Sequence, residues 1–196
     1  MHQQLTWRFR LLGVLPLIFF LAQGVHYWRT NELGHMFWMC NIGNLLLGAG
    51  LLLGQPIMIR VAAIWLVPGL VMWYVYVVRP YGVVFSSTLA HIGGLIVALI
   101  ALRRVRVDAL AWVYALGWYF IMQILSRLLT APAMNVNVTH SVYPGWEQTF
   151  NSFWKFWLVL ALVVAVSLWL LGKGLSLLWP VGRLSADYTD SSKDSV

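Results

Sequence analysis

The sequence predicts an all-α polytopic membrane protein with six transmembrane helices and both termini in the cytoplasm. Three observations carry this. The 196 residues are 61% hydrophobic and only 10% charged, with a mean hydropathy of +0.77, whereas soluble domains carry about 25% charged residues. Six apolar runs each come close to the ~20 residues that a helix needs to cross a ~30 Å hydrocarbon core. The basic residues gather on one side of the topology that those runs imply. Alternating short segments, which a membrane barrel needs, are absent.

The elements follow in order. A short head with Arg8 and Arg10 precedes the first run, 11–26, which contains Pro16. A basic head before an apolar run resembles a signal peptide, with Ala22-Gln23-Gly24 as a faint cleavage site; the expectation here is an uncleaved first helix. Tyr27 to His35 is a polar link. The second run is 36–54 and the third 57–78, broken at Gly54-Gln55-Pro56 because proline removes a helix donor. Arg79-Pro80-Tyr81-Gly82 ends the third run. The fourth is 83–102, followed by Arg103, Arg104, Arg106 and Asp108, and the fifth is 109–130. A long loop, 131–151, separates it from the sixth, 153–171. These elements make one domain, 1–184. The tail 185–196 is rich in Ser, Asp and Thr and is expected to be disordered in the cytoplasm.

Six crossings put Arg8, Arg10, Arg60, Arg103, Arg104, Arg106, Lys173, Arg183 and Lys193 on one side, and Arg29, Arg79, Arg127 and Lys155 on the other. The richer side is the cytoplasm, so the 131–151 loop is periplasmic in a cell inner membrane. The net charge of +7 is spread over short loops. It forms no basic face interleaved with stacking aromatics, which excludes a nucleic-acid partner. Membrane lipids are the expected partners, or other membrane subunits. Twelve Trp and eight Tyr suit interfacial belts and packing. Cys40 is the single cysteine, so redox compartment is not legible.

The polar residues inside the runs concentrate in the outer half. Cys40, Asn41 and Asn44 share one helix side by their spacing, as do Ser87 and Thr88 with His91, and Gln123 with Arg127. The loop adds Asn135, Asn137, His140 and Glu147. Such groups either glue helices together or mark a site, because ionisable groups in hydrocarbon are costly. Arg127 can snorkel to the outer interface, pair with Glu147, or hold an anionic ligand. A nucleophile would be Cys40, Ser87 or Thr88, with His91 or His140 as base. His26, His35, His91 and His140 are weak metal candidates without ligand spacing. His91 can also serve as a haem ligand. No cofactor is specified. Gly43 and Gly48-Ala49-Gly50 read as close helix packing, and Asn137-Val138-Thr139 matches a glycosylation triplet.

The block Met39-Cys40-Asn41-Ile42-Gly43-Asn44-Leu45-Leu46 opens one helix, an apolar helix with Trp65, Pro68 and Gly69 follows, and His91 lies in STLAHIGGL. Over roughly residues 35–140 this order resembles the YwaF-like multi-pass membrane proteins and the lipid acyltransferases and hydrolases grouped near them. In that group a helix begins with a Leu-Cys-Asp-like motif and a later one carries a membrane-embedded histidine. The resemblance implies an intramembrane nucleophile and histidine acting on acyl chains, at Cys40 and His91. Asn41 stands where the group has Asp, and an amide cannot charge-stabilise a histidine. The expected function is thus hydrolysis or transfer of lipid acyl groups. Cys40 or Thr88 is nucleophile, His91 base, Asn41 and Asn44 oxyanion donors, and Arg127 a phosphate contact. Gln123, Asn135, Asn137 and His140 line the substrate pocket. The alternative is a non-enzymatic subunit or haem- or metal-binding bundle of a larger membrane complex.

Overall fold

The computed structural model describes residues 5–78 and 83–181. The expected break at Arg79-Pro80-Tyr81-Gly82, the basic residues Arg183 and Lys193, and the 185–196 tail lie outside the described residues. Among the described residues six long helices form: α1, Trp7–Arg29; α2, Met39–Leu53; α3, Pro56–Val78; α4, Phe85–Val105; α5, Ala111–Leu129; and α6, Phe153–Leu178. Among the described residues there is no strand, only one isolated bridge between Val107 and Pro180. Four of the helices, α1, α3, α4 and α6, are long and apolar enough to cross a membrane. The chain is built to be embedded in a bilayer. Helix α2 has only 15 residues, about 22 Å at the helical rise. Helix α5 has 19 residues but carries Gln123, Ser126 and Arg127.

The boundaries differ from the sequence expectation for local reasons. Helix α1 is longer at both ends, and it tightens to a 3₁₀ turn at Leu11–Gly13, just ahead of Pro16, whose missing N–H frees the Leu12 carbonyl. The second run starts later, because Leu33–Phe37 forms its own 3₁₀ turn and Trp38 is extended (φ −55°, ψ 136°). Helix α6 runs past the expected Leu171 through Gly172-Lys173-Gly174, where Gly172 lets α6 lie directly on Trp112 of α5. The α2–α3 turn is where proline and glycine place it. Gly54 is left-handed (φ 67°), its N–H reaches the Leu51 carbonyl at 3.1 Å, and the Gln55 N–H reaches the Gly50 carbonyl at 2.7 Å. That pair of bonds is a Schellman close, with Pro56 starting the next helix.

Helix α3 is central over its first half, where every residue from Ile59 to Leu66 is buried. Its second half leaves the bundle and exposes Val71, Met72, Tyr74, Val75 and Val78. Close approach is bought by small residues, as expected for Gly48: a Cβ there would meet the Gly13 carbonyl oxygen at 2.8 Å. The helices alternate in direction. Arg10 donates to the Leu52 carbonyl, Arg60 donates to the Arg106 carbonyl at 2.8 Å, and the Val107 N–H reaches the Trp179 carbonyl at 2.8 Å. The starts of α1, α3 and α5 and the ends of α2, α4 and α6 therefore share one face, termed basal. The polar outer half expected from the sequence lies toward the opposite face.

Candidate functional site

The 131–151 loop is not a loose cover. It opens with two 3₁₀ turns, Pro132–Met134 and Val136–Val138, with Asn135 (φ 43°) and Asn137 (φ 52°) in the left-handed region that asparagine tolerates. Asn135 pins the turn on itself: its Oδ1 accepts the His140 and Ser141 N–H groups at 3.0 and 3.1 Å, and its Nδ2 donates to the Ser141 carbonyl at 3.1 Å. Asn137 reaches across the bundle. Its Oδ1 accepts the Met39 N–H at 3.1 Å, and its Nδ2 donates to the Phe37 carbonyl and to Ser126 Oγ, both at 2.8 Å. Trp38, at the N-cap position of α2, has no side-chain oxygen, so Asn137 supplies the missing cap from 98 residues away.

The rest of the polar stripe on α5 joins this clasp. Gln123 Nε2 donates to the Asn137 carbonyl at 2.9 Å, and its Oε1 accepts the Trp157 indole N–H at 3.1 Å. Arg127 donates to the Thr139 carbonyl and lies over the Phe153 and Trp154 rings, 5.4 and 5.5 Å from their centroids. Glu147 instead accepts the Gly145 N–H at 2.8 Å. Gln123, Asn135, Asn137 and Arg127, expected to line a substrate pocket, thus spend these groups on the protein itself. The glycosylation-like triplet is corrected on the same ground, since the Asn137 amide is buried and bonded at both atoms.

A second polar group is built differently. One turn into α4 the backbone widens into a π turn at Leu89–Gly93, with His91 inside it and only 7% exposed. Such turns recur at functional sites. His91 Nδ1 lies 2.7 Å from the Ser87 carbonyl and 3.4 Å from Ser87 Oγ. A ring nitrogen facing a carbonyl carries a proton, so in the neutral imidazole Nε2 keeps the lone pair. No hydrogen bond to Nε2 is found among the described residues. Trp73 of α3 stacks on the imidazole at 6.1 Å.

Gly69, just after Pro68 in α3, lies between His91 and Cys40. A Cβ at Gly69 would lie 3.1 Å from Cys40 Cβ and 3.8 Å from His91 Cδ2. Asn44 ties α2 to the π turn: its Nδ2 donates to the Cys40 carbonyl at 3.0 Å and to the Ala90 carbonyl at 2.9 Å. The Asn44 Oδ1 is buried without a hydrogen-bond partner and packs against Gly94, where a Cβ would stand 2.2 Å away. Gly94→Ala should therefore dislodge Asn44 and lower stability by about 1–3 kcal/mol, read as a fall in melting temperature in detergent. Asn41 Nδ2 donates to the His35 carbonyl at 2.9 Å, and Asn41 Oδ1 and Gln23 Oε1 are likewise buried and unpartnered. The Tyr27 hydroxyl interacts with both Gln23 and Asn41 and lies near Cys40.

No family model matches the chain, and neither a curated protein nor a solved structure does. The geometry alone sorts the candidates. Cys40 and His91 meet across Gly69 and Asn44 ties the Cys40 turn to the π turn, whereas Asn41 faces the His35 carbonyl and Tyr27. Thr88 turns away, donating back to the Val84 carbonyl at 3.2 Å, and Ser87 takes the place beside His91. The four metal candidates do not converge: among the described residues no three His, Cys, Asp or Glu side chains form a ligand set. His26 and His35 instead flank the Tyr27 ring at 5.5 and 5.4 Å, and His35 Nδ1 accepts the Trp38 indole N–H at 3.0 Å. His140 sits in the clasp with a buried, unpartnered Nε2. Sequence reasoning missed Gln23, Tyr27 and Trp73. Gln23 was findable, as the one amide between Leu11 and His26, four residues before Tyr27.

Proposed function

We propose that the chain is a six-span protein of a bacterial-type inner membrane, with both termini cytoplasmic, and that it hydrolyses or transfers lipid acyl groups at the His91–Cys40 notch in its outer half. The orientation rests on charge. Arg8, Arg10, Arg60, Arg103, Arg104, Arg106 and Lys173 belong to the basal face, and Arg29, Arg127 and Lys155 to the opposite one. The positive-inside rule makes the basal face cytoplasmic and the 131–151 loop periplasmic. The short α2 is continued outward by the Leu33–Phe37 turn, whose backbone is paired to Asn137 and Asn41. Irregular backbone is tolerated at membrane depth only when protein groups satisfy it in this way.

The observation that carries the chemical reading is His91, held by the Ser87 carbonyl through Nδ1, with Nε2 unpaired and Cys40 across Gly69. His91 Nε2 takes the Cys40 proton, and the thiolate attacks an ester carbonyl of a membrane glycerolipid. The ester C–O bond breaks, the leaving alkoxide takes the proton back from His91, and the acyl group stays on sulfur as a thioester. A water or a second hydroxyl, deprotonated by His91, then attacks the thioester, the C–S bond breaks, and the departing Cys40 thiolate takes the proton back from His91. Asn41, whose amide also serves the His35 carbonyl and faces the Tyr27 hydroxyl, is the proposed oxyanion donor. Asn44 has used both amide N–H groups and is a positioning residue. The resemblance of Cys40, Pro68-Gly69 and His91 to the YwaF-like proteins and neighbouring lipid acyltransferases points the same way.

The same fixed imidazole favours a second reading. A histidine with Nδ1–H on a carbonyl presents Nε2 as a metal ligand, so the notch would hold one face of a haem in a non-enzymatic subunit. The test uses the full chain in vesicles of phosphatidylethanolamine and phosphatidylglycerol with alkyne-tagged acyl chains. The expected result is a hydroxylamine-labile label on the protein, absent in Cys40→Ala and formed at least about 100-fold more slowly in His91→Ala. An unlabelled protein with a Soret band that His91→Ala removes assigns the haem role. An unlabelled, colourless protein overturns both.

A further inference from the structure

We infer that the basal face carries a binding site for the headgroup of an anionic phospholipid, formed by Arg8 at the start of α1 with Arg103, Arg104 and Arg106 at the end of α4. The site lies at the other end of the bundle from the notch and is independent of the acyl-transfer reading. The fold brings the two groups of arginines together, since the Arg104 guanidinium lies 5.9 Å from the centroid of the Phe9 ring, the residue after Arg8. All four side chains are exposed. Their charge is not balanced locally. Asp108 is the only acidic residue of this face among the described residues, and its carboxylate is taken by buried Arg60. Arg10 is excluded from the set because its guanidinium is committed to the Leu52 carbonyl.

Three features select a lipid over a soluble anion. Trp7 and Leu11 beside the arginines are 67% and 51% exposed, an indole at headgroup level over an aliphatic helix face, which is how interfacial anchors are arranged. The apolar window of α1 is only 17% buried within the chain, so acyl tails can lie along the helix directly below the charges. The cations are guanidiniums, whose planar fork matches phosphodiester oxygens two at a time. The Arg106 backbone adds a fourth feature, because it sits at φ 62°, ψ 161°, a region essentially restricted to glycine. Arg60 holds it there through the Arg106 carbonyl, at the rim of the cluster.

The experiment is native mass spectrometry of the full chain in neutral detergent, titrated with phosphatidylglycerol, phosphatidylcholine or inorganic phosphate. Phosphatidylglycerol is expected to be retained in preference to phosphatidylcholine. Affinity should fall about fivefold for each of Arg8→Gln, Arg103→Gln and Arg104→Gln, and roughly a hundredfold for the three together. The matching lysine triple keeps the charge but not the planar fork and should fall between wild type and the glutamine triple, whereas a control pair Arg29→Gln and Lys155→Gln on the opposite face should stay close to wild type. If the triple glutamine variant loses its helical circular dichroism, the single Arg104→Gln shift decides. Equal retention of both lipids, an unchanged Arg104→Gln, or displacement of phosphatidylglycerol by equimolar inorganic phosphate would each overturn the assignment.

Discussion

Replacing Arg60 with methionine should destabilise the protein by about 2–3 kcal/mol, less than for a fully buried ion pair because the Asp108 side chain is one-third exposed. Methionine keeps the apolar stem of the side chain, so the loss isolates the guanidinium. Arg60 is 7% exposed and is held on three sides: by the Arg106 carbonyl at 2.8 Å, the Val105 carbonyl at 3.3 Å and the Asp108 carboxylate. Removing it strands two carbonyls at the end of α4 and a carboxylate at the start of α5. It also releases the constraint on Arg106, whose glycine-like conformation costs on the order of 1–3 kcal/mol to maintain. Asp108→Asn should lose less, about 1–2 kcal/mol, because its single amide oxygen can still accept from Arg60 or from the Leu110 N–H, which lies 3.0 Å from Oδ1, but not from both. Arg106→Gly should recover part of the Arg60→Met loss. Melting temperatures of the variants in one detergent give the ordering. An Arg60→Met protein within about 1 kcal/mol of wild type would mean that water replaces the guanidinium, and that the basal face is open.

What was legible in the sequence is what local chemistry encodes. Gly54-Gln55-Pro56 marks a turn because a left-handed residue and a missing donor are properties of those residues alone, and the Schellman bonds form there. The composition and run lengths give an all-helical bundle, since lipid-facing segments must satisfy their own backbone. The extension of α6 through Gly172-Lys173-Gly174 was not legible. The apolar run ends at Leu171, but the contact of Gly172 with Trp112 supplies a tertiary reason for the helix to continue. The π turn was hidden for a related reason. The facing of Ser87, Thr88 and His91 was read from a regular helical period, and the wider turn at Leu89–Gly93 changes the partners. Thr88 drops back onto Val84, and Ser87 becomes the imidazole's anchor. Asn44, whose amide donates to the Ala90 carbonyl inside that turn, lies 46 residues earlier.

The two polar groups are not one cavity, yet they are joined through a single helix. The clasp holds Phe37, in the turn before α2, and Met39, the first residue of α2, and the proposed notch uses Cys40, Asn41 and Asn44 of the same helix. The position of Cys40 relative to His91 therefore depends on where the loop holds the start of α2. The stretch from Gln123 to Thr139 acts on the notch as a support and contributes no group to it. Its asparagines are costly to bury alone and harmless once paired, and every one of their bonds to the bundle ends on backbone or on Ser126.

Asn137→Ala should accordingly have the largest combined effect on stability and on any chemistry at Cys40. It strands the Met39 N–H, the Phe37 carbonyl and Ser126 Oγ together. Each buried unpaired group costs about 1–3 kcal/mol, so a total loss of at least about 3 kcal/mol is expected. Asn137→Asp separates the contributions. It keeps an acceptor for the Met39 N–H but offers no donor to the Phe37 carbonyl, and it buries a charge beside that carbonyl, so it should be no better than alanine. Asn135→Ala is the control, because its bonds stay within the turn at His140 and Ser141 and leave α2 untouched. It should cost about 1 kcal/mol and leave acyl labelling of Cys40 unchanged. Asn137→Ala, assayed well below its lowered melting temperature, should slow that labelling, since the first turn of α2 has lost its cap and Cys40 is the second residue of the helix. Labelling at the wild-type rate in a destabilised Asn137→Ala protein would mean that α3 and α4 alone position Cys40, through Gly69 and the Asn44 bridge, and that the outer loop serves stability only.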